Sequence, residues 1–264
     1  MRPARLGAVS YLNTKPLVRG LERRPDLFTV RFDVPSICAT LLHDGEVDLG
    51  LIPAIEYLRG DYALVPGVAI GSDGPVRSVA VFSRVPIEQV RSIALDTSSR
   101  TSVALTRILC ARLWDIAPTF TSAAPDLSAM LDGADAALVI GDRALEADAA
   151  ASGLVKTDLG EAWQSLTGLP FVYAAWTGRP QAVDADQVGE LAAARARGVA
   201  AAADIAREVG AGDARAEARA LGYLRDTLKY GLGDREAAGL ERFHALAAEL
   251  GFAPGPLRPL RFFP

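Results

Sequence analysis

Three clusters of polar residues each follow an apolar, β-branched run and precede a helical pattern. They lie at residues 10–14, 96–102 and 141–142. The carboxyl ends of parallel strands share one edge of a sheet, and helix N-termini there present free N–H groups and partial positive charge. Such clusters are therefore typical of anion sites, and the sequence predicts a site for a negatively charged small molecule.

The second cluster is the densest, with five hydroxyl residues and one arginine in positions 97–102. Ser, Thr, Asn and Asp are also ordinary helix N-cap residues, so each junction alone is equally compatible with capping. A helix N-terminus stabilises a nearby anion by about 0.3–1 kcal/mol, and a hydrogen bond to a charged group adds about 1.5–3 kcal/mol. Two or three converging junctions could therefore hold a dicarboxylate without net positive charge.

Scarce residue types narrow the chemistry further. Asn13 is the single asparagine of the chain, which indicates a specific chemical need there, with helix capping as the alternative. The two histidines, His43 and His244, are expected to be structural, and no Ser-His-Asp order or HExxH motif can be built from them. GxGxxG and Walker motifs are absent, so neither a dinucleotide nor ATP is expected as a cofactor.

Composition excludes several classes of protein. Of 264 residues, 50% are hydrophobic and 23% are charged, which is ordinary for globular proteins and unlike disordered chains. The net charge of −4 argues against a nucleic-acid partner. Two cysteines without a Cys/His cluster predict neither disulfides nor a metal site. Because no signal peptide or membrane span is recognisable, we expect a cytoplasmic protein.

The elements that position these clusters alternate between strand and helix through most of the chain, which predicts an α/β fold with largely parallel sheets. Predicted strands cover 5–9, 28–33, 49–52, 79–82, 92–95, 136–140 and 171–176. Predicted helices cover 16–22, 36–43, 54–58, 101–114 and 127–131. Helices alone follow, over 184–209, 214–230 and 234–250. Punctuation by proline and glycine predicts one lobe from 1–83 and 177–264, with a second lobe, 84–176, inserted into it.

Six segments in order resemble chorismate dehydratase of the futalosine route to menaquinone, and the helical end is also similar. They are VSYLNTKPL, DLGLIPAIEYL, GPVRSVAVFS, LDTSSRTSVAL, LVIGD and DLGEAWQSLTGLPFVYAAW. The resemblance implies a two-lobed fold like the type II periplasmic binding proteins, with a helical C-terminal segment. It also implies the reaction, in which chorismate loses water to give 3-[(1-carboxyvinyl)oxy]benzoate without a cofactor.

Site residues follow from the resemblance and from the three clusters. By the resemblance, Asn13 and Ser78 are expected to act at the reacting centre by orienting substrate and hydrogen-bonding the leaving hydroxyl. The remaining positions are expected to bind substrate or line the cleft: Ser10, Ser98, Ser99, Arg100, Thr101, Ser102, Gly141, Asp142 and Pro170.

Two questions stay open at the level of sequence. The proton acceptor could be the enolpyruvyl carboxylate of the substrate, or Asp142 as the second choice. The function could instead be that of a 1,4-dihydroxy-6-naphthoate synthase or of a binding protein without catalysis. The synthase is similar in its opening motif but has a catalytic histidine in the inserted lobe, whereas no histidine lies between residues 44 and 243 here.

Overall fold

The computed structural model describes residues 2–147 and 152–264. Ten strands occur among these residues: β1 (Ala4–Val9), β2 (Phe28–Asp33), β3 (Leu49–Pro53), β4 (Ala63–Ser72), β5 (Val79–Ser83), β6 (Ser92–Asp96), β7 (Thr119–Ala123), β8 (Ala136–Ile140), β9 (Val155–Asp158) and β10 (Phe171–Gly178). They form two five-stranded sheets. The first has the order β2-β1-β3-β10-β4 and the second has the order β7-β6-β8-β5-β9.

Ten α-helices connect or cover these strands in the described part of the chain: α1 (Lys15–Val18), α2 (Pro35–His43), α3 (Arg100–Arg112), α4 (Leu127–Asp132), α5 (Gly141–Glu146), α6 (Leu159–Thr167), α7 (Ala185–Ala200), α8 (Ala202–Gly210), α9 (Ala214–Gly222) and α10 (Asp234–Glu249). Two shorter elements matter for the site. They are a 3-10 turn at Ala54–Arg59 and a π-helical turn at Tyr223–Thr227.

Local sequence explains several element boundaries. The strands β3, β5 and β8 are buried at every position, and each is a short apolar run of the kind that fills the middle of a sheet. The side chain of Ser99 caps α3 by accepting a hydrogen bond from the Ser102 amide. Asp184 and Gln187 form a reciprocal capping box at the start of α7.

The expectation of largely parallel sheets is wrong in one respect. The strands β1, β2 and β3 are parallel, as are β6, β7 and β8. However, β10 runs antiparallel to both of its neighbours, and so does β5. The strands β5 and β10 are the first strands after each crossing of the chain from one sheet to the other. Their direction therefore follows from these crossings and cannot be predicted from a βαβ pattern.

The same pairing locates the crossings between the sheets. Residues 79–83 were predicted in the first lobe, but as β5 they pair in the second sheet with β8 and β9. Residues 171–176 were predicted in the second lobe, but as part of β10 they pair in the first sheet with β3 and β4. By sheet membership, the chain therefore crosses before residue 79 and returns before residue 171, several residues earlier than predicted.

Three strands were not predicted, and each lacks the usual pattern. Pro66 and Gly67 interrupt β4, whereas β7 is largely exposed and β9 has only four residues. The helix predicted over 16–22 ends at Val18, because Gly20 adopts a left-handed conformation with φ of 86°. The helix predicted over 214–230 gives way to the π-helical turn after Gly222.

The larger of two core clusters in the described chain includes residues of both sheets and of the C-terminal helices, and the smaller one lies on the second sheet. Cys38 and Cys110 are both buried and neither is in a disulfide, and burial raises the pKa of both thiols to about 12. In the described ranges, the helices are all too short or too polar to cross a membrane.

Candidate functional site

A cleft with about 530 Å³ of empty space, part of which is open solvent, lies between the two sheets, and we call it the cavity. Its apolar wall comes from both halves of the chain and comprises Val9, Pro35, Pro53, Ile70, Val76, Val79, Ile140, Ala174 and Leu228. Its polar wall comprises Tyr11, Asn13, Ser78, Ser99, Ser102, Gly141 and Tyr173.

Five residues selected from the sequence therefore meet at one cavity: Asn13, Ser78, Ser99, Ser102 and Gly141. They lie up to 128 positions apart in the chain, from residue 13 to residue 141. The described residues of the wall include no charged side chain. Neutral hydroxyl, amide and N–H groups surrounded by apolar side chains form a site of low polarity, in which each hydrogen bond to an anion is stronger than in water.

The first turn of α3 supplies two of these hydroxyl groups. The Ser99 hydroxyl accepts a hydrogen bond from the Ser102 amide at 3.3 Å and donates its own proton to the Ser102 hydroxyl at 2.8 Å. Both side chains are buried. Because Ser102 accepts from Ser99, its own hydroxyl proton stays available to a group in the cavity.

Three other residues of the 97–102 run do not line the cavity in the described part of the chain. The Ser98 hydroxyl donates to the buried Asp96 carboxylate at 2.6 Å. Thr101 accepts a hydrogen bond from the Ile55 amide at 3.1 Å. The Arg100 guanidinium donates to Glu56 at 2.9 Å. Ser98 precedes α3, and the helix points Arg100 and Thr101 away from Ser102, so this run of polar residues does not form one surface.

Ser10, Asp142 and Pro170 also lie beside the cavity rather than in its wall. Ser10 is exposed in a neighbouring open groove that shares Tyr11 with the cavity. The Pro170 carbonyl accepts a hydrogen bond from the Trp163 indole at 3.1 Å.

Asp142 connects the second sheet's helix α5 to the loop that follows β1. Its two carboxylate oxygens accept a hydrogen bond from the Leu12 amide at 3.3 and 3.4 Å. Burial raises the pKa of Asp142, and the hydrogen bond from Leu12 acts in the opposite direction. The carboxylate thus holds the Asn13 loop against the second half of the molecule.

Gly141 has a steric reason to be glycine. Its φ is 68°, and a Cβ atom there would lie 3.1–3.3 Å from the Tyr11 ring. Its amide donates to the Ser78 carbonyl at 2.8 Å. The absence of a side chain therefore lets the Tyr11 ring and the Ser78 backbone approach the same strand end.

The loop before Ser78 is strained and is held by Asp158, which the sequence analysis did not single out. Arg77 has a φ of 66°, an uncommon value for a residue with a side chain. The Asp158 carboxylate accepts from the Val76 amide at 3.0 Å and from the Arg77 amide at 2.6 Å, while also capping α6. Strained backbone fixed in this way is typical of positions whose direction matters for function.

Tyr223 was also missed, because it lies in the helical end, which was expected only to pack. It is buried, and its hydroxyl donates to the Ser78 hydroxyl at 2.6 Å. The Asn13 side chain also hydrogen-bonds the Tyr223 hydroxyl. Burial raises the pKa of Tyr223 above its ordinary value. A π-helical turn is often found at a functional site, but it has no clear sequence pattern, so no signal in the sequence pointed to Tyr223.

Burial also raises the pKa of the two tyrosines in the cavity wall, Tyr11 and Tyr173. The Ser98 hydroxyl partly offsets this effect at Tyr11, and a hydrogen bond with Ser72 does so at Tyr173. Both phenols therefore stay protonated at neutral pH and can donate hydrogen bonds, but they cannot act as bases.

On another side of α3, the 3-10 turn Ala54–Arg59 is bound at three consecutive residues. His244 contacts the Ala54 carbonyl at 3.0 Å, Thr101 holds the Ile55 amide, and Glu56 is bound by His43 at 2.6 Å and by Arg100. We call this turn, with these four partner residues, the anchor cluster. Both histidines thus have structural partners, and no histidine lies among the described residues of the cavity wall.

The anchor cluster is charged but internally compensated. Burial alone would raise the pKa of Glu56, but the hydrogen bond from His43 and the charges of Arg100 and Arg59 outweigh it and lower that pKa.

Within residues 2–147 and 152–264, no group of three His, Cys, Asp or Glu side chains could hold a metal ion.

Comparison with known proteins identifies the fold. A protein from Archaeoglobus fulgidus superposes with a TM-score of 0.73 at 16% identity, covering 95% of this chain and 98% of that one. A Candida albicans protein with the generic periplasmic binding protein fold has a TM-score of 0.64 at 10% identity, covering 95% and 92% of the two chains. These similarities confirm the predicted fold.

Sequence comparison identifies the family. A family model described as menaquinone biosynthesis matches residues 4–249. The chain is also 33% identical over 284 residues to the chorismate dehydratase of Thermus thermophilus, covering 96% of this chain and 98% of that relative. The protein therefore belongs to the menaquinone biosynthesis family.

Proposed function

We propose that this protein is a chorismate dehydratase, a hydro-lyase that converts chorismate to 3-[(1-carboxyvinyl)oxy]benzoate and water in the cytoplasm, without a cofactor. The observation that carries the proposal is the meeting of Asn13 and Ser78 with the start of α3 at one uncharged cavity. The similarity to the Thermus thermophilus enzyme over nearly the whole of both chains supports the same reaction.

The reaction requires little from the protein beyond positioning and hydrogen-bond donation. The ring carbon beside the ether oxygen loses its proton, and the C–H electron pair forms a ring double bond. The C–O bond to the neighbouring hydroxyl breaks, and its electron pair leaves with the oxygen. The departing hydroxide takes up one proton, so that the balance is loss of one water and formation of an aromatic ring. Conjugation with the ring carboxylate eases the first step.

Two groups of residues divide the work in this proposal. The Ser102 hydroxyl, which Ser99 orients, and the free amides at the start of α3 bind one carboxylate of the substrate. Asn13 and Ser78 hydrogen-bond the leaving hydroxyl and stabilise the negative charge that develops on its oxygen. The apolar wall excludes water, which strengthens both sets of hydrogen bonds.

The enolpyruvyl carboxylate of the substrate is the proton acceptor that we favour. It lies next to the acidic ring carbon within the substrate itself, so its effective concentration is high. Asp142 is the alternative, but its carboxylate accepts a hydrogen bond from Leu12 and lies outside the described cavity wall. The protonated tyrosines of the wall offer no base.

The decisive experiment incubates the purified protein with chorismate, without added metal or nucleotide, and follows products by NMR and mass spectrometry. We expect an aromatic product in amounts equal to the chorismate consumed. Binding of chorismate without turnover would indicate a binding protein, and absence of both would contradict the proposal.

Asp142→Asn tests the identity of the base. If the substrate supplies the base, this variant keeps measurable turnover, with a loss that reflects only the weakened contact to Leu12. Complete loss of turnover with intact chorismate binding would instead assign the proton transfer to Asp142.

A further inference from the structure

The hydroxyl of Tyr223, in the C-terminal helical segment, lies next to the residues of the proposed reacting centre. The Tyr223 hydroxyl donates to the Ser78 hydroxyl at 2.6 Å and is hydrogen-bonded to the Asn13 side chain. Tyr223 opens the π-helical turn, which closes through a hydrogen bond from the Leu228 amide to the Tyr223 carbonyl at 3.1 Å. Leu228 itself lies in the cavity wall. The π-helical turn thus places the Tyr223 side chain next to the cavity wall residue Leu228.

The direction of each hydrogen bond follows from the number of protons available. A phenol has one proton, and Tyr223 gives it to Ser78. Ser78 therefore keeps its own hydroxyl proton for another acceptor. The Asn13 carbonyl accepts from the Thr14 hydroxyl at 3.4 Å, so its NH₂ group is the donor that faces Tyr223. That NH₂ group carries two protons, so a hydrogen bond to Tyr223 uses one of them and leaves the second for the cavity.

We infer that Tyr223 is a positioning residue for the proposed dehydration: by donating to Ser78 and accepting from Asn13, it directs the remaining proton of each toward the leaving hydroxyl. This inference rests on the proposed function. A hydroxyl that accepts one strong hydrogen bond is also polarised to donate a stronger one. Tyr223 acts only through its two neighbours and does not contact the substrate.

Tyr230 provides a matched control in the same segment. Its hydroxyl is buried like that of Tyr223, but it has no hydrogen-bond partner within the described part of the chain. Removing it therefore removes a buried hydroxyl of the same kind without disturbing a directed contact. A loss seen for Tyr223→Phe and not for Tyr230→Phe is then due to the contact with Ser78 and Asn13.

The experiment measures turnover of chorismate and thermal stability for Tyr223→Phe, Tyr230→Phe, Ser78→Ala and the double variant of Tyr223 and Ser78. We expect Tyr223→Phe to lower kcat by about tenfold to a hundredfold with KM changed by less than about twofold. Tyr230→Phe keeps both constants. In the Ser78→Ala background, removal of the Tyr223 hydroxyl lowers kcat by less than about threefold, because the two residues act as a unit.

Two kinetic outcomes would overturn the inference. One is a Tyr223→Phe variant with normal kcat, or with raised KM alone, which would make the residue a part of the wall only. The other is an equal loss in the presence and absence of Ser78, which would show independent action.

A measurement without substrate separates this inference from the proposed function. In the NMR spectrum we expect a slowly exchanging, downfield hydroxyl proton that disappears in Tyr223→Phe, shifts in Ser78→Ala and persists in Tyr230→Phe. A signal that Ser78→Ala leaves unchanged overturns the inference whatever the substrate is. Failure of the unaltered protein to convert chorismate overturns the proposed function and this inference with it. Conversion at an equal rate by Tyr223→Phe overturns the inference alone.

Discussion

The first turn of α3 has two sides that use similar residues in opposite ways. On the cavity side, Ser99 and Ser102 are neutral, and within the described part of the chain one of their two hydroxyl protons has no protein acceptor. On the anchor side, Arg100 and Thr101 contact the Ala54–Arg59 turn. Arg100 forms an ion pair with Glu56, and the Thr101 hydroxyl accepts a hydrogen bond from a backbone amide of the turn. Saturated contacts hold a structure together, whereas unused donors can bind a ligand.

The difference explains how an uncharged wall could hold a doubly charged substrate. An arginine in the cavity would bind a carboxylate strongly, but it would also stabilise substrate and transition state alike. In the anchor cluster, the guanidinium of Arg100 is neutralised by Glu56 instead. The cavity is left with directional donors, which can be aimed at the oxygen where charge develops during the reaction.

The largest effect is expected on the cavity side, at Asn13. Asn13→Ala removes a donor from the proposed leaving oxygen, and we expect kcat to fall by about 10²–10³, or about 2.7–4 kcal/mol, by analogy with oxyanion donors. Thermal stability changes little, because the residue is half-buried in the short 3-10 turn Leu12–Thr14 and its loss creates no large void. Steady-state kinetics with chorismate, with a melting curve, measures both.

Ser10→Ala is the control for Asn13 in the same loop. Ser10 is exposed in the neighbouring groove, and we expect its removal to change kcat by less than about threefold. Near-normal turnover of Asn13→Ala would return Asn13 to a capping role and remove the contrast between the two sides of α3.

On the anchor side, the next largest effect concerns His244 and depends on pH. Burial lowers the pKa of His244 to about 4, against the hydrogen bond to Ala54, which raises it. The unfolded chain takes up a proton below about pH 6.5, whereas the folded chain does not do so until about pH 4. This histidine therefore makes the free energy of unfolding fall by about 2 kcal/mol between pH 7 and pH 5.

His244→Gln removes this titration and can still donate a hydrogen bond to the Ala54 carbonyl. Urea unfolding at several pH values between 7 and 5 is expected to give a flatter dependence for the variant than for the unaltered protein. Parallel curves would mean that His244 is protonated in the folded state, and the anchor cluster would then be less tightly packed than its burial indicates.

The site could be located from the sequence because several of its residues lie within short segments that have a recognisable pattern. The hydroxyl run at 97–102 and the single asparagine stand at strand ends, where the direction of the chain can be inferred. Sequence reasoning could not divide that run into two sides, because the division depends on the rotation of α3 against the Ala54–Arg59 turn. Tyr223 and Asp158 were missed for a related reason: both act over a long separation in the chain, at 145 residues for Tyr223 and Ser78.

The fold shows the same limit. Buried apolar runs such as β3 and β8 were predicted within one or two residues, since their composition is decisive. The antiparallel entry of β5 and β10 was not, because it follows from where the chain crosses between sheets. The edge strand β7 carries almost no apolar pattern, and pairing with β6 alone makes it a strand.

A smaller effect is expected for Ser102→Ala on the cavity side. It removes one hydroxyl donor to a substrate carboxylate, and we expect KM for chorismate to rise about tenfold, which corresponds to about 1.4 kcal/mol. The effect on kcat is smaller, because this contact forms equally in substrate and transition state. Unchanged KM with lowered kcat would instead place Ser102 at the reacting centre.

The smallest effect is expected two residues earlier, for Arg100→Met on the anchor side. Methionine keeps the apolar part of the side chain, and Glu56 retains its contacts with His43 and Arg59. The Arg100 side chain is 36% exposed but its partner Glu56 is only 3% exposed, so water screens the ion pair only in part, and we expect a loss of stability of about 1 kcal/mol. KM for chorismate stays within about twofold. A KM that rises as much as in Ser102→Ala would mean that Arg100 leaves Glu56 for the substrate, and the two sides of α3 would then share one role.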